Sequence, residues 1–267
     1  MIDNLLLISN KATFVLFVLV ILFAILTFIA WLVACIMKFN VWITYKKYNK
    51  IVTLQGIDAK TNAQFLLNKQ NLNEIKVQKC GFWRGLFGNG VQGFGNSYSP
   101  SKKTIFLRKN IIDKATITAI GVTSQRVGQA VLDKRDDKQF KLLCKLRSIY
   151  IFAPILFMPI VAIFGILDIC VFKTEGFIFA IVSILAFVYL IGAFIMMLFT
   201  IPVEKRANKI AIDNLRESGL YTEEEIAGME VVLSSYIKSY IADFIYAVVQ
   251  IIYEILKLVV RLTKKSK

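Results

Sequence analysis

Gln125 and Gln129 stand four residues apart in the run QRVGQAVL over positions 125–132, with Arg126 between them. On a helix, positions i and i+4 share a face, which is how two side chains close on one metal ion in a zinc helix of the HExxH kind. The residue types are wrong for that task. A neutral amide is a poor zinc ligand. A guanidinium repels a dication and cannot take a proton from water at any ordinary pH. The chain has no histidine to substitute for them. The plain alternative is that the two glutamines are ordinary polar positions on a helix and that Arg126 pairs with Glu204 or a lipid phosphate.

The other motifs carry less. Gly88 to Gly93 satisfies GxGxxG, but six glycines lie from Gly81 to Gly95 and Pro100 follows where a phosphate-binding helix should begin. A loop at the membrane surface is expected there, with Phe82, Trp83, Leu86 and Phe87 dipping into the interface. Cys35 and Cys170 fall in apolar runs, and Cys80 and Cys144 stand alone in a basic segment. With no CxxC spacing, neither a disulfide framework nor a zinc knuckle is indicated.

The elements that position these residues belong to a membrane protein. The 267 residues are 57% hydrophobic, with mean hydropathy +0.61, too apolar for a soluble domain that must cover its surface with polar groups. From Lys38 to Arg147 there are 21 of the 33 cations and six of the 18 carboxylates, so that segment carries the whole net charge of +15. It lies directly between long apolar runs, where basic residues orient spans and bind anionic headgroups, and the reading is a lipid surface rather than nucleic acid.

Ala12 to Met37 is 26 residues without a charge, roughly 39 Å as a helix at about 1.5 Å per residue, more than the hydrocarbon core requires. It is read as a retained transmembrane anchor (12–37). A signal peptide would have a shorter apolar stretch and a small-residue cleavage site, and Lys38-Phe39-Asn40-Val41-Trp42 offers none. Ser148 to Leu167, carrying Pro154 and Pro159, and Gly176 to Val203 are two further uncharged runs joined by a polar link from Asp168 to Glu175. They predict a transmembrane helical hairpin (148–203). Lys46, Lys47 and Lys50 on one side and Lys138, Lys141, Lys145 and Arg147 on the other place the domain between them (38–147) in the cytoplasm by the positive-inside rule. The N-terminus and the Asp168 link then lie outside. The expectation is a multi-pass protein of the cell membrane.

Within 38–147, Asp58 to Lys69 has helical spacing, Ile75 to Val77 and Thr104 to Leu107 resemble short strands, and a helix is predicted from about Ile111 through Ala130 with Ile117, Ile120, Val127 and Val131 as its apolar stripe. After the hairpin, 204–267 is read as cytoplasmic helices. Glu204 to Leu215 is amphipathic and stopped by Gly219, and Thr222 with Glu225 has capping-box spacing. A last helix, about Val231 to Leu262, carries Ser239, Asp243, Gln250, Glu254, Lys257 and Arg261 on one face. Such a polar stripe is expensive in lipid, and Lys264, Lys265 and Lys267 favour a cytoplasmic end, so an interfacial or re-entrant helix is preferred to a fourth crossing. The fold class is therefore mainly α, an anchor followed by a small α+β domain, a hairpin and amphipathic C-terminal helices.

These stretches, taken in order, resemble the YugP-type neutral zinc metallopeptidases of bacterial membranes. The family's helix reads HEVGHAIQ where this chain has QRVGQAVL. Tyr48 to Val77 follows the family's opening pattern, with Gly56, Ala59, Ala63 and Leu67 in an early helix. Asn96-Ser-Tyr-Ser-Pro100 resembles its DHYDP turn, and Ile201-Pro-Val-Glu-Lys-Arg-Ala207 resembles its L-P-V-E-F-x-A helix start. Gly219 to Glu225, Val232, Leu233 and Tyr240 to Ala242 are similar to its closing region.

The resemblance implies a metalloendopeptidase with zinc, and this chain departs from it at the chemistry. The two family histidines fall on Gln125 and Gln129, the catalytic glutamate on Arg126, and the third ligand that the resemblance implies on Glu204. The DHYDP acids and histidine are replaced at Asn96, Ser97 and Ser99. The chain is therefore expected to be a non-catalytic relative, without a cofactor, whose site positions Gln125, Arg126, Gln129 and Glu204 are degenerate. Arg126 and Glu204 should approach within about 8 Å, the guanidinium standing in for the cation's charge. Anionic lipids and a membrane-protein partner are the expected company. The competing classes are a hydrolase with relocated residues and a small transporter or channel component suggested by Asp243 and the polar stripe.

Overall fold

The computed structural model describes residues 2–81, 95–149, 163–172 and 177–265. The loop with the GxGxxG match (82–94) and most of the first arm of the expected hairpin (150–162) lie outside them. The described chain is mostly helical with one three-stranded sheet, and it divides into two compact units: Met1–Val41 with Lys238–Lys267, and Trp42–Ile237.

The first unit holds most of helix α1 (Ile2–Tyr48) and the C-terminal half of the last helix, α7 (Glu223–Lys265). Phe14, Phe17, Ile21, Ile25 and Phe28 stand exposed along α1. Phe14–Tyr48 and Glu223–Lys257 are long and apolar enough to cross a membrane by length and composition. Lys38 and Asp243, one from each helix, form an ion pair at 2.9 Å, and Lys257 pairs with Glu254 one turn away.

The second unit holds the core. Asp58 caps α2 (Ala59–Lys69), its carboxylate accepting from the Thr61 amide at 2.9 Å. Strands β1 (Lys76–Lys79), β2 (Ser97–Ser99) and β3 (Thr104–Leu107) form a sheet in the order β1-β3-β2, with β1 parallel and β2 antiparallel to β3. Val77, Ile105 and Tyr98 stand in register across it and are buried. The 96–100 segment, expected as a turn, is mainly strand β2, and the chain turns after it, through Pro100 to Lys103.

One helix expected from 111 to 130 is two. A single turn, α3 (Lys109–Ile112), is separated from α4 (Ile117–Lys134) by an extended stretch. The break has a cause far away in sequence: the Ala115 carbonyl accepts from the Thr53 amide at 2.8 Å, the Lys114 carbonyl from the Ala59 amide at 2.9 Å, and Val52 bridges Thr116. Thr116 then caps α4 through the Ala119 amide. α4 is buried along most of its length.

Asp137 begins α5 (Lys138–Ile149), accepting from the Phe140 amide at 2.8 Å. Ile163–Phe172 is helical, and its stretch Asp168–Phe172 is a π-helical turn with Asp168 buried, so the first part of the expected polar link is helical. The rest of that link, 173–175, lies outside the described residues. α6 (Phe177–Ser218) runs unbroken through Pro202, joining the expected second hairpin arm to the amphipathic helix after it. Proline forfeits one hydrogen bond and packing holds the rest. Gly219, at φ +68°, ends α6 in the left-handed conformation. α7 begins with the reciprocal box: Thr222 Oγ1 accepts from the Glu225 amide and Glu225 Oε2 from the Thr222 amide.

Candidate functional site

α4 presents Gln125, Arg126 and Gln129 towards α6, and α6 presents Glu204 and, one turn on, Asn208. The helices come this close because of Gly128. A Cβ there would lie 2.3 Å from the Ala207 carbonyl oxygen, so no other residue allows the backbones their present separation. On the far side of α4, Asn62 of α2 donates to Ser124 Oγ at 3.1 Å and accepts from the Tyr221 hydroxyl at 2.9 Å, which fixes the helix's rotation.

At the centre lies the Glu204 carboxylate, fully buried. Gln129 Nε2 donates to its Oε1 at 2.9 Å and Gln125 Nε2 to its Oε2 at 3.0 Å. Gln125 Nε2 also reaches Asn208 Oδ1 at 2.5 Å. Arg147, from α5, donates through Nη2 to Glu204 Oε1 at 2.9 Å. α5 is held for this by Arg206 of α6, which bonds Asp137 at 3.0 Å and Gln139 at 2.8 Å. Arg126 Nη1 stands 4.0 Å from Glu204 Oε2, inside the expected limit but beyond hydrogen-bond reach.

All four positions singled out in the sequence are brought together. Two participants were missed. Arg147 was weighed only as a charge that orients the membrane spans, and nothing local marks its reach onto a carboxylate 57 residues away. Asn208 was detectable: it stands i+4 from Glu204 and so shares its face. Cys144, one turn before Arg147, is half-buried, and its thiol is pushed up to about 11 by burial, against the opposing pull of Arg147.

The donor set does not fit a zinc ion. An amide oxygen is the only part of glutamine that can ligate a metal, and here the nitrogens face Glu204. Turning either amide over would set oxygen against carboxylate, so the orientation is dictated by the acid. Both oxygens of Glu204 are already accepting, and the Arg126 guanidinium facing it can accept no proton. Among the described residues no group of three or more His, Cys, Asp or Glu is placed to hold a metal.

A sequence model described as putative neutral zinc metallopeptidase matches residues 20–259. The chain belongs to that family. No curated protein and no solved structure matches it. In this member of the family, the i, i+4 pair Gln125 and Gln129 of one helix meets an acid, Glu204, of another. Where the family name implies zinc, two amides and two guanidiniums surround the remaining carboxylate.

Proposed function

We propose that this chain is a non-catalytic member of the metallopeptidase family, resident in the membrane, which acts by binding as a scaffold or regulator of other membrane proteins. One observation supports it above the others: Glu204 accepts hydrogen bonds from Gln125, Gln129 and Arg147, so the acid is engaged in an ion-pair network that closes the site on itself. A hydrolase needs a polarising cation or a proton acceptor poised beside water, and these residues supply neither.

The proposed setting is a multi-pass protein with its basic domain on the cytoplasmic side. Lys46, Lys47 and Lys50 follow the apolar part of α1, with the Lys46 ammonium 3.8 Å over the Trp42 ring. Val52 and Leu54 are exposed beside them. Cations with apolar neighbours at the end of a span suit anionic headgroups.

Metal analysis of the purified full chain, with casein and membrane-peptide cleavage assays, tests the proposal. The expected result is no stoichiometric zinc and no EDTA-sensitive cleavage. Stoichiometric zinc with such cleavage would overturn it.

A further inference from the structure

Arg126 is 2% exposed, yet its Nε has no hydrogen-bond partner among the described residues. Its Nη1 is 4.0 Å from the carboxylate it faces. A buried guanidinium carries five donors, and leaving them unmet is costly. Thr123 Oγ1, one turn earlier on α4, is also buried and unmet. The charges do not balance either. Arg126 and Arg147 bring two positive charges against the single negative charge of Glu204, whose acceptor oxygens are taken by other donors. An excess positive charge in a buried, low-dielectric place is unstable unless compensated.

We propose that the guanidinium of Arg126 is the anchor of an anion site that takes a single carboxylate group, either the free C-terminus of a peptide or a small carboxylic acid. A planar two-oxygen anion matches the guanidinium fork and meets two donors at once. One negative charge restores neutrality to the Arg126, Arg147 and Glu204 cluster, whereas a dianion would overshoot it. The carboxylate that already faces Arg126 does not do this, because its Oε2 accepts from Gln125 and stands 4.0 Å from Nη1. Arg147, at 13% side-chain exposure, is the more open of the two cations, so the ligand enters past it. This rests on the reading that no metal sits at this position.

The test uses the full chain in detergent, with zinc content measured in the same samples. Thermal unfolding is followed with sodium acetate against sodium chloride at matched ionic strength, and with trialanine against its C-terminal amide. Acetate or trialanine should raise the wild-type midpoint saturably, by about 3–5 °C at tenfold over the dissociation constant. Chloride and the amide should not. A response to trialanine exceeding that to acetate assigns the peptide terminus, and the reverse assigns the small acid. R126Q should lose the shift. R126K, which keeps the charge and loses the fork, should weaken binding at least about tenfold. No saturable shift in metal-free wild-type protein, or an equal shift in a folded R126Q or R126K, overturns the inference and leaves the non-catalytic reading standing. Stoichiometric zinc in the wild type overturns both.

Discussion

Gln129 donates its side-chain amide to Glu204 Oε1 at 2.9 Å, across the line where α4 and α6 run closest. With Gln125 on the other oxygen, it makes the buried carboxylate an acceptor for two amides. Glu204 compensates the guanidiniums around it, and its removal should be felt as lost stability. E204A should cost about 3–5 kcal/mol, because it leaves buried positive charge without its partner. Q129A, which removes one hydrogen bond to a charged group, should cost about 1.5–3 kcal/mol. Denaturant unfolding of the full chain in detergent checks both, and a cost for E204A below that for Q129A would show that the charges are solvated.

The approach of the two helices sets a second expectation. An added Cβ at Gly128 would meet the Ala207 backbone at 2.3 Å, whereas at Gly121 the closest atom is the Met229 Cβ at 3.2 Å. Backbone cannot step aside as a side chain can. G128A should destabilise by about 2–3 kcal/mol or more, and G121A by under about 1 kcal/mol, since alanine's better helix propensity offsets part of a small overlap. Thermal unfolding of both variants decides it, and equal midpoints would mean that α4 and α6 are not held this tightly.

Cys144 supplies a pH dependence. Its thiol is pushed up to about 11, chiefly by burial, and only the thiolate attacks an alkylating agent. Below that value the rate should rise about tenfold per pH unit and continue rising past pH 9, where an ordinary thiol levels off near its pKa of about 8.5. At pH 8 its alkylation should be roughly 100-fold slower than that of a small free thiol. Iodoacetamide kinetics in the C35S/C80S/C170S background measure this, and a plateau near pH 8.5 would contradict the burial. Arg147 opposes the shift by favouring the anion, so R147A should slow the reaction further.

Local signals were legible wherever the chain decides structure locally. Strand Thr104–Leu107, the Asp58 start of α2, the Gly219 stop and the Thr222–Glu225 box follow from residue type and spacing alone. The break before α4 did not, because it is made by the amides of Thr53 and Ala59, which pair with carbonyls about 60 residues away. The end of the uncharged run at Val203 argued for a boundary, which the continuous helix α6 runs through. At the site, Gln125 and Gln129 were recognisable by their i, i+4 spacing, and Arg126 and Glu204 by the order in which the stretches resemble the family. Arg147 was not, since the reach of a long side chain from α5 onto α6 leaves no trace in periodicity.

The geometry also predicts what this scaffold can hold with other side chains. Gln125, Gln129 and Glu204 already converge, since both amides reach the same carboxylate within 3.0 Å. Replacing those amides with imidazoles in Q125H/R126E/Q129H puts two nitrogen donors and an acid around Glu204, the kind of set that holds zinc with an open position. It also removes the guanidinium that would repel the ion. Arg147 still competes for Glu204 Oε1, so the triple variant should bind zinc weakly and R147Q added to it should tighten binding at least about tenfold. The expected outcome is about one zinc ion per chain in the quadruple variant and none in the wild type. Metal analysis after dialysis against zinc reads this directly. A folded quadruple variant that takes up no metal would show that the scaffold, and not only the three substituted side chains, has moved away from a metal-binding geometry.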